Sequence, residues 1–230
     1  MHGNGALTAV RTSLSEQLAS LRGVAVAELP ESLLTVAVRE VAGIYLLLPS
    51  DWEALRHDEG AAGRPVPFWA RPWPSGTALA GALADEPPAP GARVLELGCG
   101  LAAPSIVAAK AGADVLATDG ATDAVAFAAH SLTLNDAVGE VAHATWADHG
   151  DQLAERGPFD LVLGADVLYT PENADAAVRL LPRLLAPGGE VRLADPGRTN
   201  ARRFVSAARA SFALDSHQEG GVTLYRLTQR

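Results

Sequence analysis

The chain is poor in three residues: its 230 positions hold one cysteine, Cys99, one methionine, at position 1, and one lysine, Lys110. A single cysteine excludes an internal disulfide, so the fold rests on its core rather than on cross-links. No apolar run approaches the roughly 18 to 20 residues that a membrane helix needs, so no membrane association is expected. The N-terminus shows no positive head followed by an apolar core and a small-residue cleavage site, and the expectation is a reducing, cytoplasmic setting. Basic charge is also scarce: 18 Lys and Arg stand against 27 Asp and Glu, a net charge of −9. That balance argues against a broad nucleic-acid-binding face. The histidines His2, His57, His130, His143, His149 and His217 are scattered, without paired or cysteine-rich ligand spacing, so no metal is expected and all six read as surface or structural residues.

What the chain does have is a hydrophobic fraction of 48% and a charged fraction of 20%, the balance of a globular protein with a full core. Residues 1–64 are read as an N-terminal extension that contributes to an acceptor site. It holds one helix over Val10–Leu21 and one or two strands between Leu33 and Leu48. Residues 65–230 are read as the main domain. Its first stretch, Pro65–Gly76, carries four prolines and two tryptophans and suits a lid or wall. A helix is then expected over Thr77–Ala84. Beyond it, short apolar runs alternate with alanine-rich stretches, the pattern of βαβ units. Strands are expected at Arg93–Leu97, Asp114–Thr118, Val141–Thr145, Leu161–Ala165 and Glu190–Ala194, with helices after the first, second, fourth and fifth. Ala186–Gly189 reads as a turn, and Phe212–His217 with Val222–Leu227 read as a hairpin.

The most informative segment is Val94-Leu-Glu-Leu-Gly-Cys-Gly100, a strand running into a glycine turn. Gly98 and Gly100 allow a backbone to approach a ligand without interference from Cβ. Asp119 closes the next strand, where a carboxylate can accept from both hydroxyls of a ribose. This pairing alone leaves two ligands open, because Gly98-x-Gly100-x-x-Ala103 also satisfies a dinucleotide fingerprint. Three features separate them. Glu96 places an acid before the first glycine, which suits a cationic ligand. Trp146 and Asp148 offer an indole face and a carboxylate to an adenine. The terminal hairpin adds an antiparallel strand to an otherwise parallel sheet.

In these respects the chain resembles the class I methyltransferases, whose ligand, S-adenosylmethionine, carries a sulfonium. The likeness covers residues 65 to 230. Three further segments resemble the branch of small lysine methyltransferases that includes the electron transfer flavoprotein β-subunit enzyme: Pro67-Phe-Trp-Ala70 with Trp73–Leu79, Asp166-Val-Leu-Tyr169, and Asp195-Pro-Gly-Arg198. The resemblance implies an α/β, doubly wound, Rossmann-like sheet of seven strands with an antiparallel last strand. It implies that Trp69 or Trp73 closes over the methionine end of the cofactor, that Gly98 and Gly100 line it, and that Asp119 holds the ribose. It also places Trp146 and Asp148 at the adenine and Asp166 and Tyr169 at the acceptor.

Methyl transfer from a sulfonium needs alignment and exclusion of water more than covalent help. Asp166, after the fourth strand, is expected to orient an amine acceptor, and Tyr169 to form an aromatic wall beside it. Asp195 and Arg198 are expected to shape the acceptor pocket. The bland alternatives are a helix cap for Asp166, a core-filling role for Trp146 and a surface ion pair between Arg198 and Asp195. The expected activity is transfer to a lysine side chain of a partner protein. The rivals are a small-molecule amine or heteroaromatic nitrogen as acceptor, and a non-catalytic cofactor-binding scaffold. An NAD-linked oxidoreductase is disfavoured, since no tyrosine stands four residues before Lys110.

Overall fold

The computed structural model describes residues 4–230; His2 lies outside the described residues. An N-terminal segment comes first, with helix α1 (Asn4–Arg22), a short helix α2 (Glu31–Leu34), strands β1 (Val36–Val41) and β2 (Ile44–Pro49), and helix α3 (Trp52–Ala61). Strands β1 and β2 pair antiparallel through Ala42 and Gly43, both at positive φ, which is the backbone of a tight hairpin turn. Asp51 caps α3 by accepting from the Ala54 N–H at 2.9 Å.

The main sheet follows from the apolar runs. Its strands are β3 (Arg93–Leu97), β4 (Asp114–Asp119), β5 (Glu140–His143), β6 (Phe159–Ala165), β7 (Leu185–Asp195), β8 (Phe212–Glu219) and β9 (Val222–Gln229). They lie in the order β5-β4-β3-β6-β7-β9-β8. The first five run parallel, and β9 inserts antiparallel between β7 and β8. Helices α4 (Pro74–Asp85), α5 (Ala103–Lys110) and α6 (Thr122–Leu134) cover one face; α7 (Trp146–Arg156), α8 (Pro171–Leu184) and α9 (Thr199–Ala208) cover the other.

Successive strand residues serve opposite layers, as strand geometry requires. Val94, Leu161 and Leu163 pack with the α4–α6 layer, while Leu95, Leu97 and Val162 pack with the α7–α9 layer. The N-terminal segment joins the first layer: Leu14 and Leu18 of α1 and Leu46 and Leu47 of β2 share a core with Phe127 of α6. Side chains of α6 stand in for a third strand along β2. Asn135 exchanges hydrogen bonds with the Tyr45 backbone, and Ser131 Oγ accepts from the Leu47 N–H.

Three expectations change. A helix, α7, follows β5, where none was expected: Thr145 Oγ1 accepts from the Asp148 N–H at 3.3 Å and donates to Asp148 Oδ2 at 2.7 Å. Those reciprocal bonds start a helix in a segment whose Gly150 and charged residues resemble a loop. Helix α3 was also not expected. Ala186–Gly189 is carried inside β7 as a bulge: Phe159 pairs with Leu185 and Leu161 with Glu190, so the four residues loop out of register rather than end the strand.

The strand order places the site. From β3 the chain moves outward to β4 and β5, then returns to start β6 on the other side of β3. The loops after β3 and β6 therefore diverge, and the crevice between them is where an open α/β sheet binds ligands.

Candidate active site

A cleft of about 970 Å³ opens at the carboxyl ends of β3, β4 and β6. The loop after β3 supplies its floor. Gly98 and Gly100 sit at φ 64° and 52°, and Ala102 also adopts a left-handed conformation before α5 begins. A Cβ on Gly98 would stand 2.8 Å from Val167 Cγ1, so glycine here lets the loop after β6 close onto the loop after β3. Glu96, buried, turns its carboxyl toward α5, where Oε2 accepts from the Ser105 N–H at 3.0 Å and from the Ser105 hydroxyl. Burial pushes its pKa up to about 8, against the pull of those two hydrogen bonds. The acid expected to face a cationic ligand thus also holds the first turn of the helix behind the loop. Cys99 lies between the glycines with its thiol pushed well up by burial, the condition of an inert cysteine.

Asp119 ends β4 beside this loop. Its Oδ2 accepts from the Gly100 N–H and its Oδ1 from the Ala121 N–H, each at 2.8 Å. Burial pushes the carboxyl up, and the backbone bonds from Ala121 and Gly100 oppose that shift. An ionised carboxylate has about four acceptor positions, so both oxygens can still receive ligand hydroxyls. Farther along, Trp146 and Asp148 form the first turn of α7, on the cleft wall. Asp148 is exposed and its carboxylate completes the Thr145 cap, so its first role is structural.

The loop after β6 supplies the opposite wall. Asp166 has φ 59°, which an aspartate tolerates better than most residues, and its N–H donates to Ala194 O at 2.9 Å. Asn173 Nδ2 donates to Val167 O and Asn200 Nδ2 to Tyr169 O, each at 2.9 Å, which pins the loop from α8 and α9. Asp166 is not the helix cap: Thr170 Oγ1 accepts from the Asn173 N–H and caps α8. Its side chain, 14% exposed, receives Arg198 Nη1 on Oδ1, while Oδ2 is buried and has no partner among the described residues. Leaving such an atom unpaired costs roughly 1–3 kcal/mol, the kind of strain concentrated at functional sites. Tyr169, 57% exposed, stands at the mouth.

Trp69, Trp73, Glu96, Gly98, Gly100, Asp119, Trp146, Asp148, Asp166 and Tyr169 all line this one cleft. The two tryptophans differ in their surroundings: Trp69 packs on Phe127 with ring centroids 5.0 Å apart, whereas Trp73 donates Nε1 to Phe68 O at 2.6 Å and stacks under Arg71. Asp195 and Arg198, expected to shape the acceptor pocket, do not line the cleft. Asp195 is 1% exposed and organises its own turn, with Oδ1 accepting from the Gly197 and Arg198 N–H groups; Arg198 reaches the cleft only through Asp166.

Sequence reasoning missed an ionic cluster at the other end. Arg22, at the last turn of α1, donates to Asp123 in the first turn of α6 and to Glu59 of α3, which also receives Arg64. All four line the cleft. Burial raises the Glu59 carboxyl, but the hydrogen bonds from Arg64 and Arg22 outweigh it and hold the pKa below the usual range. Asp123, four residues after Asp119 and at a helix start, was the one member with a local signal.

Comparison with known proteins converges on one group. Residues 73–209 match the family described as lysine methyltransferase. The electron transfer flavoprotein beta subunit lysine methyltransferase of Xenopus laevis is 37% identical over 135 residues, covering 57% of this chain and 53% of that protein. The histone-arginine methyltransferase METTL23 of Xenopus laevis is 38% identical over 84 residues, 35% of this chain and 36% of that one. The chain therefore spans about half the length, or less, of these curated relatives. Among solved structures, the T. thermophilus 16S rRNA N2 G1207 methyltransferase (RsmC), in complex with AdoMet and guanosine, superposes with a TM-score of 0.64. At 19% identity, over 85% of this chain and 50% of that one, it shares the fold.

Proposed function

Since the chain belongs to the lysine methyltransferase family, we propose that it transfers a methyl group from S-adenosylmethionine to a lysine side-chain nitrogen of a partner protein. Its fold is the Rossmann-like class I methyltransferase fold, with the antiparallel strand β9 in place. The observation that carries the proposal is Asp166 Oδ2, a buried acceptor with no partner among the described residues, on the wall of a cleft that also holds the glycine loop and Asp119.

The residues present fit the cofactor. The cleft volume of about 970 Å³ is at the upper end of ordinary ligand sites, leaving space for an acceptor beside a nucleoside. Asp119 would hold the ribose hydroxyls, Trp146 the adenine face, and the loop of Gly98 and Gly100 the methionine end below Trp69. The expected role of Glu96 as a charge facing the sulfonium gives way to a structural one, since its buried carboxyl keeps its proton and holds Ser105 at the start of α5. When bound, S-adenosylmethionine supplies an electrophilic methyl carbon on a sulfonium. The chain's own work is placement: Asp166 Oδ2 accepts an N–H of the incoming amine and aims its lone pair, while Tyr169 forms an aromatic wall that favours a cationic side chain. The tryptophans exclude water from the reacting centre.

A protein acceptor is favoured over a small amine by the mouth of the cleft, where Phe68 and Tyr169 are more than half exposed and leave a path for a side chain on a large partner. The N-terminal segment belongs to the same site in this reading, supported by Arg22, Glu59 and Arg64 on the cleft wall. A reducing, cytoplasmic location is also part of the proposal, supported by a single, buried cysteine. No described helix is long and apolar enough to cross a membrane.

Calorimetric titration with S-adenosylmethionine, S-adenosylhomocysteine and NAD, followed by transfer of labelled methyl to a protein extract, tests the reading. Binding of the first two ligands and label in protein are expected. Label only in small molecules would establish the small-amine alternative, and cofactor binding without transfer would establish the scaffold. Binding of NAD alone would overturn the assignment.

A further inference from the structure

The two oxygens of Asp166 are used unequally. Oδ1 receives Arg198 Nη1 at 2.5 Å, and Oδ2 is buried without a partner among the described residues. The same Nη1 donates to Asp195 Oδ2 at 3.0 Å, so one nitrogen spans two carboxylates. Asp195 in turn accepts from the Arg198 N–H at 2.7 Å and the Gly197 N–H at 2.8 Å, which fixes the backbone of the arginine that its side chain pairs with. With Asp195 1% exposed, this bracket has little freedom to swing.

On the amine-methylation reading above, we propose that Arg198 is a positioning residue that makes the acceptor site selective for a primary amine over a guanidinium. Two nitrogen side chains compete for a carboxylate in such a cleft. A guanidinium pairs best through two parallel N–H bonds to both oxygens, and the Arg198 guanidinium already sits on Oδ1, so a second planar fork would have to crowd against it. A lysine nitrogen needs a single acceptor, and Oδ2 provides it.

The test compares the full-length parent, R198Q and R198K. Each is incubated with methyl-labelled S-adenosylmethionine and a heat-treated protein extract, the protein is hydrolysed, and label in methyl-lysine and methyl-arginine is counted. Titration with S-adenosylhomocysteine reports whether each variant is folded. The parent should place its label in methyl-lysine. R198Q should form methyl-lysine about tenfold or more slowly at saturating cofactor, as expected on losing a charged hydrogen bond. Its preference for lysine should narrow by roughly tenfold, with cofactor affinity held within about twofold. R198K should recover most of the rate, because a single ammonium can span the two oxygens that Nη1 now spans. If R198Q does not fold, D195N, which frees one anchor of Arg198, should show the same trend.

Parent label in methyl-arginine, or an R198Q rate and preference equal to the parent's, would overturn the role of Arg198 while leaving methyl transfer to protein intact. A parent that binds cofactor and labels no protein would overturn the reading on which the inference rests.

Discussion

Asp119 and Asp166 divide the cleft between two tasks, and substitution should separate them. Asp119→Ala removes a buried charged acceptor and frees the Gly100 and Ala121 N–H groups that it holds. Cofactor affinity should fall roughly ten- to hundredfold by calorimetry, the worth of a charged hydrogen bond. Asp166→Asn presents an amide to the acceptor and should leave that affinity near the parent value while turnover falls on the order of 10²-fold. Parent-like turnover would remove Asp166 from the chemistry. Glu96 makes a prediction about stability. Its pKa is about 8 in the folded protein against a reference value of 4.5. Between those values the folded state keeps a proton that the unfolded chain releases, so this contribution is complete below the lower value and is lost as pH rises through the upper one. Urea midpoints should therefore drop between about pH 5 and pH 8 in the parent and level off above that. Glu96→Gln should flatten the slope, leaving the part due to Asp119, whose pKa is raised in the same direction by burial. An unchanged slope in the variant would rule Glu96 out as its source.

At the level of elements, legibility followed burial. Strands β3, β4 and β6 are covered on both faces, so their sequences are largely apolar, broken inside only by buried Glu96 and Thr118 and at the edges by Arg93, Asp114, Asp119 and Asp160, and stand out without any knowledge of neighbours. The terminal hairpin was equally plain, because Gly220 and Gly221 adopt the positive φ that its turn requires. Helix α7 was not legible, since Leu153 is its one deeply buried large side chain and His149 and Gly150 interrupt the pattern. Its one local signal was Thr145 with Asp148 three residues on. That cap starts the helix whose first residue, Trp146, lines the cleft. Thr145→Ala should cost about 1 kcal/mol, a fall of roughly 2–4 °C in melting temperature. Trp146 fluorescence should also shift toward that of exposed indole; a variant with parental melting and emission would show that packing, not the cap, holds α7.

For the whole molecule, the N-terminal segment is built into the same core as the sheet, and Arg22 is the polar counterpart of that packing. It bridges α1, α3 and α6 through Glu59 and Asp123, with all three side chains largely buried. Arg22→Met would strand Asp123 without its cation and leave Glu59 to Arg64 alone. The expected loss is about 3 kcal/mol in denaturant stability, as for a broken buried pair, with weaker cofactor binding because the cluster lines the cleft. Stability within experimental error of the parent would reduce the cluster to an incidental contact.

By itself the sequence determined the parallel sheet, the glycine loop, the acid that ends β4 and the Asp-x-x-Tyr segment after β6. Each of these is written in residues close together in the chain, through alternation, φ preference and spacing. Tertiary structure alone decided that Arg22 meets Asp123 from 101 positions away and that Arg198 meets Asp166 from 32. It also decided that Asp195 is a buried brace and that Glu96 keeps its proton. Those outcomes depend on which distant elements come together and how much water they exclude, and burial and long-range pairing have no local imprint in the chain.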